Sequence, residues 1–212
     1  MSEVTPAAAP APAKKSASLQ SIAFGLVALI VIWFGLAKTW QGIGAMFGWD
    51  GSAKFKTLLE ESDTAYRAAL KHADVAEPLY ASLMEALNAQ SLADARLEQS
   101  DNAKQAVAAF QDAAKQFALS GKKIDEALTQ GLKLKDEHTK SLTLRAQACS
   151  LLANVCQLNA DLCSAMLDES ISTKESLVPR LTELAAKRDA ARTDAETALV
   201  ESQKLAEQDV AK

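Results

Sequence analysis

The sequence predicts an all-α protein: a single N-terminal transmembrane helix followed by an elongated antiparallel helical bundle of three to four long helices. Three observations carry the prediction. An uncharged run from Ser16 to Ala37 is bounded by Lys14, Lys15 and Lys38. After residue 51, Gly and Pro dwindle to Gly121, Gly131, Pro78 and Pro179 in a background of Ala, Leu, Glu, Gln, Lys and Arg, the composition of long helices. No segment alternates apolar and polar residues as a half-buried strand does.

Residues 1–18, MSEVTPAAAPAPAKKSAS, are rich in Ala and Pro and lack an apolar period. Such a stretch cannot bury a core, so a disordered tail is expected. The transmembrane helix is assigned to 19–38. The uncharged run of 22 residues would be roughly 33 Å long as a helix, against a hydrocarbon core of about 30 Å. Ile22, Phe24, Leu26, Val27, Leu29, Ile30, Val31, Ile32, Phe34 and Leu36 supply the apolar surface. At about 0.3–0.6 kcal/mol each near the bilayer centre, they make insertion favourable.

Trp33, Trp40 and Trp49 stand at or just after the end of this run and read as an interfacial anchor, because an indole can bury its ring and hydrate its N–H there. A cleaved signal peptide is the rival reading, with Gly35-Leu36-Ala37 as small residues near a cleavage point. The run exceeds an ordinary signal core, and Trp33 and Phe34 are bulky, which favours an uncleaved anchor. The flanking lysines favour a cytoplasmic N-terminus, with the residues after 38 outside the cytoplasm.

Residues 39–51, TWQGIGAMFGWDG, hold four of the eight glycines interleaved with apolar side chains. They are expected to form a hinge at the membrane surface. No strand precedes Gly42-Ile43-Gly44 and no basic residue follows in phosphate-binding position, so it does not read as a phosphate loop. Gly44-Ala-Met-Phe-Gly48 matches a small-xxx-small helix contact, a weak signal outside the membrane centre.

Residues 52–212 are assigned to the bundle, with helices expected at about 52–75, 78–119, 122–170 and 177–210. Ser52 can cap the first helix, and Pro78 can open the second, where its missing N–H costs nothing. Ser120-Gly121 suits a C-terminus, and Ser176 as a cap would put Pro179 in the first turn of the last helix. Short connections make neighbouring helices antiparallel.

The best core signal is Leu144, Ala148, Leu151, Val155, Leu158 and Leu162, spaced by four and three residues as a heptad seam. Ala103, Val107, Phe110, Ala114 and Phe117 repeat the pattern upstream. In the last helix Leu gives way to Ala, which allows close approach but removes little area from water. The charged residues Lys133, Lys135, Asp136, Glu137 and Lys140, and Glu183, Lys187, Arg188 and Asp189, read as solvated helix faces.

Chemistry-bearing residues are sparse. Cys149, Cys156 and Cys163 recur every seven residues, about 10.5 Å of helix rise, too far apart to pair with one another. They read as small buried apolar residues, with a cross-link between two copies as the alternative. Three unpaired thiols also count against an oxidising compartment, in tension with the predicted orientation. His72 and His138 stand alone, and neither lies in a Glu-x-x-His repeat. No catalytic, cofactor or metal site is expected, and a net charge of −4 argues against nucleic acid.

The sequence therefore suggests a non-enzymatic, single-pass protein of a bacterial inner membrane. Its expected partners are the lipid bilayer and other membrane or extracytoplasmic proteins, with a homo-oligomer as a further option. It would act as scaffold, spacer or accessory subunit. The alternative is a ligand-sensing bundle working with a partner receptor; a bundle facing the cytoplasm is a third arrangement.

Overall fold

A computed structural model describes residues 53–130, 132 and 134–210. The described residues form four long helices: α1, Ala53–Ala89; α2, Leu92–Leu128; α3, Asp136–Leu167; and α4, Lys174–Val210. Among them no helix is long and apolar enough to cross a membrane. The expected tail at 1–18, the span at 19–38 with its ten apolar residues, and the hinge at 39–51 with Trp40 and Trp49 all lie outside the described residues.

The helices are antiparallel in sequence order. Ser62 meets Ser120 towards one end of the α1–α2 pair and Ser82 meets Gln99 towards the other. Gly121 lies against Ala146 and Cys149, while Arg96 reaches the carbonyl of Met166, which fixes α2 against α3. Ser141 pairs with Ser202 and Asp168 with Arg180, which fixes α3 against α4. Each helix packs along its length on its chain neighbours, whereas the backbones of α1 and α4 stay further apart. A 37-residue helix is about 55 Å long, so the bundle is a rod.

The cuts between helices differ from those the breakers predict. Helix α1 runs straight through Pro78. The hydrogen bond lost there would have ended on the Asp74 carbonyl, and Asp74 and Pro78 both face solvent, where water can satisfy that oxygen. The first turn falls instead at Gln90–Ser91. Ser91 has extended backbone angles and its hydroxyl accepts from Asp94 N at 3.2 Å, an N-cap that closes the turn without glycine or proline.

Gly121 does not end a helix. It lies inside α2, and a methyl group added there would stand 3.1 Å from the Ala146 carbonyl oxygen and 3.2 Å from Cys149 Cβ. Glycine at this position lets α2 and α3 approach closely. Helix α2 continues to Leu128, where Thr129 Oγ1 donates to the Glu126 carbonyl at 2.7 Å. Thr173 caps α4, accepting from Ser176 N at 3.3 Å, so the helix begins earlier than a Ser176 cap implies and Pro179 lies beyond its first turn.

The seam proposed in α3 is one flank of a wider inward face. Ala148, Val155 and Leu162 are buried, but Leu144, Leu151 and Leu158 are only half-buried. Leu142, Arg145, Leu152, Asn159 and Met166 are buried as well. The reason is that α3 is covered on two sides, by α2 and by α4, and a helix with two neighbours needs a broader stripe than a two-helix seam.

The core divides along the rod into two apolar clusters. One contains Phe55, Tyr66, Phe117, Ile124, Leu142, Leu152 and Leu199. The other contains Tyr80, Leu83, Leu87, Phe110, Leu162, Met166, Leu177 and Leu181. Burying each Leu- or Phe-sized side chain contributes about 1.5–3 kcal/mol before conformational entropy is subtracted.

Candidate functional site

The two clusters meet at a waist where polar side chains enter the interior. On α4 the waist lies between Ala185 of one cluster and Ala195 of the other, and Arg188 is there. On α3 it lies between Cys156 and Ala160, with Asn159 at the junction. Glu77 and Tyr80 come from adjacent turns of α1 where the clusters change over at Ala73 and Ala76.

Arg188 is wholly excluded from solvent. Its Nε and Nη2 donate to one oxygen of its own neighbour, Asp189 Oδ1, at 3.0 and 2.8 Å. Asp189 keeps 45% of its side-chain surface in water, so the pair is anchored on the outer edge of the guanidinium alone. The Arg188 side chain and the Tyr80 hydroxyl make a loose contact with each other that falls short of strict hydrogen-bond geometry, and Asn159 Oδ1 is buried without a hydrogen-bond partner.

Tyr80 and Arg188 are neighbours across the wide α1–α4 side. Burial pushes the Tyr80 phenol well above its ordinary pKa, and the guanidinium is the main influence pulling it down. The two approach without completing a hydrogen bond of good geometry. Cys163 and Asp189 also act on the phenol. Glu77 stands beside Cys156 at the rim, and burial, helped by Asp74, raises its carboxyl to about 7.

A second polar set lies in the other cluster. Ser62 Oγ and Ser120 Oγ are 2.9 Å apart, and Ser120 reaches Cys149 Sγ at 3.5 Å. Arg145 donates from Nε to Ser202 Oγ at 3.0 Å, and burial lowers its pKa to about 10. Tyr66 packs edge-on against Phe117 with centroids 5.2 Å apart. These groups knit helices together through satisfied hydrogen bonds, whereas at the waist the acceptor Asn159 Oδ1 is left without one.

The candidate residues of the sequence fall as follows. Ile22, Phe24, Leu26, Val27, Leu29, Ile30, Val31, Ile32, Phe34, Leu36 and the three tryptophans lie outside the described residues. Cys149, Cys156 and Cys163 are free thiols exposed by 1% or less, with pKa values raised by burial, to about 11 for Cys149 and about 12 for Cys163. Among the described residues no three His, Cys, Asp or Glu side chains gather as a metal site.

Arg188, assigned to a solvated face, and His138, which lies in a charged stretch of the sequence, are in fact inside. His138 is 8% exposed and Arg188 fully buried. The waist could not be read from spacing, because Glu77, Tyr80, Asn159 and Arg188 come from three helices. The one available signal was Arg188 itself: it falls three residues after Ala185 and three before Ala191, in line with the small residues of the inward face.

The arrangement offers recognition chemistry. A guanidinium and a phenolic hydroxyl are neighbours there, and no nucleophile is hydrogen-bonded to a base among them. No family model, characterised protein or solved structure matches the chain.

Proposed function

We propose that the chain is a non-enzymatic, membrane-anchored helical bundle that binds other proteins as a scaffold, spacer or accessory subunit. The observation that supports this reading is the clasp at the end of the rod furthest from Ala53. Arg96 of α2 donates to the carbonyls of Met166 and Asp168 at 2.5 and 2.7 Å, capping α3, and Arg180 of α4 holds the Asp168 carboxylate at 2.6 Å. Three helices are thereby tied at a point about 55 Å from the end that a span at 19–38 would enter. Leu97, one residue from the clasp, is 86% exposed, a rigidly held apolar contact point.

Two measurements test the reading on the full chain. Flotation with liposomes should require residues 19–38. A photo-crosslinker at Leu97 should capture one defined protein, while one at Lys122, towards the opposite end, should not. A chain that floats without 19–38, or position 97 capturing nothing, would remove the anchor or the docking role respectively; substrate turnover would remove the non-enzymatic reading.

A second reading, a ligand-sensing bundle working with a partner receptor, is favoured by one observation only. The waist buries polar side chains of three helices, Tyr80, Asn159 and Arg188, inside the rod. A ligand that joined them would change how α1 and α4 pack.

A further inference from the structure

Among the described residues only α3 turns a long uncharged face outward. From 141 to 160 its one charged side chain is Arg145, which is buried, although 24% of the whole chain is charged. Thr143, Gln147, Ser150, Asn154 and Gln157 are exposed along that stretch, with Leu144, Leu151 and Leu158 half-buried beside them. The outward faces of the other helices are charged, by Lys71 and Glu85 on α1, Lys104 and Lys122 on α2, and Glu183 and Glu201 on α4. Depletion of charge marks the centre of a protein interface.

The register identifies the occupant. Lys140 and Asp161 close the uncharged stretch at its two ends with opposite charge. They share one face of the helix with Gln147 and Asn154, at heptad spacing, and Leu144, Leu151 and Leu158 form the adjoining column. Both columns are symmetric about one place, residues 150–151. Lys140 and Asp161 are equidistant from it, so are Gln147 and Asn154, and Leu144 and Leu158 lie equally far from Leu151.

We propose that this face of α3 is a homodimer interface, on which α3 of a second copy packs antiparallel across a two-fold axis at Ser150–Leu151. The axis sets Lys140 against Asp161 of the second copy, Gln147 against its Asn154, and leucine against leucine. Amides and hydroxyls both donate and accept, so they can face their own kind, which charged side chains of one sign cannot. A parallel pair would put Lys140 against Lys140 and Asp161 against Asp161. A face that is its own complement fits a second copy better than an unrelated protein. The uncharged stretch is about 30 Å of helix, a single crossing. The contact therefore lies at the small end of specific interfaces, with a Kd on the order of 10–100 µM.

The test is sedimentation of the full chain in mild detergent from about 1 to 300 µM, across the expected Kd. A monomer–dimer equilibrium is expected. Ser150→Lys, an exposed change beside the axis that brings like charges together, should weaken it at least tenfold, while Thr193→Lys on the outward face of α4 should leave it unchanged. Lys140→Asp should weaken it about threefold, and adding Asp161→Lys should restore it. On mild oxidation a Lys140→Cys chain mixed with an Asp161→Cys chain should form a disulfide-linked dimer, and neither should do so alone. The native thiols are buried and do not compete.

A chain that stays monomeric throughout would overturn the proposal. So would a dimer that Ser150→Lys leaves intact, which places the contact elsewhere, or cross-linking of Lys140→Cys to itself, which makes the pair parallel. A photo-crosslinker at Gln147 that captures another protein and never a second copy would likewise overturn it. None of these outcomes bears on the docking role of Leu97, which lies on α2.

Discussion

Ser141 and Ser202 face each other across the α3–α4 contact, and each donates its hydroxyl to the other's backbone carbonyl, at 3.0 and 2.9 Å. The two hydroxyl oxygens are themselves 3.0 Å apart, and Ser202 also accepts from Arg145. Serine's small size lets the helices close up. Its hydroxyl then satisfies groups that the closeness removes from water.

Ser202→Ala should lower stability by about 1–3 kcal/mol, because it takes an acceptor from a buried guanidinium as well as a bond from Ser141. Ser141→Ala should cost less, since Arg145 keeps Ser202. Urea denaturation of both single variants and the double variant should show non-additive losses. Additive losses would mean the two serines act independently.

Gly121→Val should destabilise by about 1–3 kcal/mol, because the Ala146 carbonyl and Cys149 Cβ leave too little room between α2 and α3. Gly121→Ala should fall nearer to neutral, since the better helix propensity of alanine, about 1 kcal/mol, offsets part of the crowding. Thermal melts of the two variants check the order.

Glu77 gives the stability a pH dependence of definite sign. Its carboxyl titrates near 7 in the folded chain against an ordinary value of 4.5, so the folded state holds its proton more tightly than the unfolded state does. The contribution is fully present below about pH 4.5 and is lost as the pH rises through 7. Allowing for the carboxyl's contact with solvent, the loss is about 1–2 kcal/mol. Glu77→Gln should flatten this part of the profile and be the more stable protein at pH 8.

Cys149, Cys156 and Cys163 should resist a thiol-reactive disulfide reagent at pH 8 in the native protein, since burial blocks access and disfavours the thiolate. All three should react promptly in concentrated urea. A thiol that reacts at the same rate with and without urea would contradict its burial.

Much of the fold is written in composition and little of it in punctuation. Long helices follow from the scarcity of breakers, and four of them are present among the described residues. The breakers that do occur mislead: Pro78 is tolerated because its freed carbonyl meets water, and Gly121 serves packing between helices. The true first turn at Gln90–Ser91 carries only a serine cap, a signal hard to separate from the other serines of the chain. The waist was illegible for a different reason. A charged residue such as Arg188 looks like surface until the helices on either side are known, and its partners lie on other elements.

Because each helix rests on the one before it in the chain, assembly need not wait for distant segments to find each other. The first hairpin can close before the third helix exists, and each later helix arrives at a surface already formed. The outermost pair, α1 and α4, are then the last to come together and the first to peel apart.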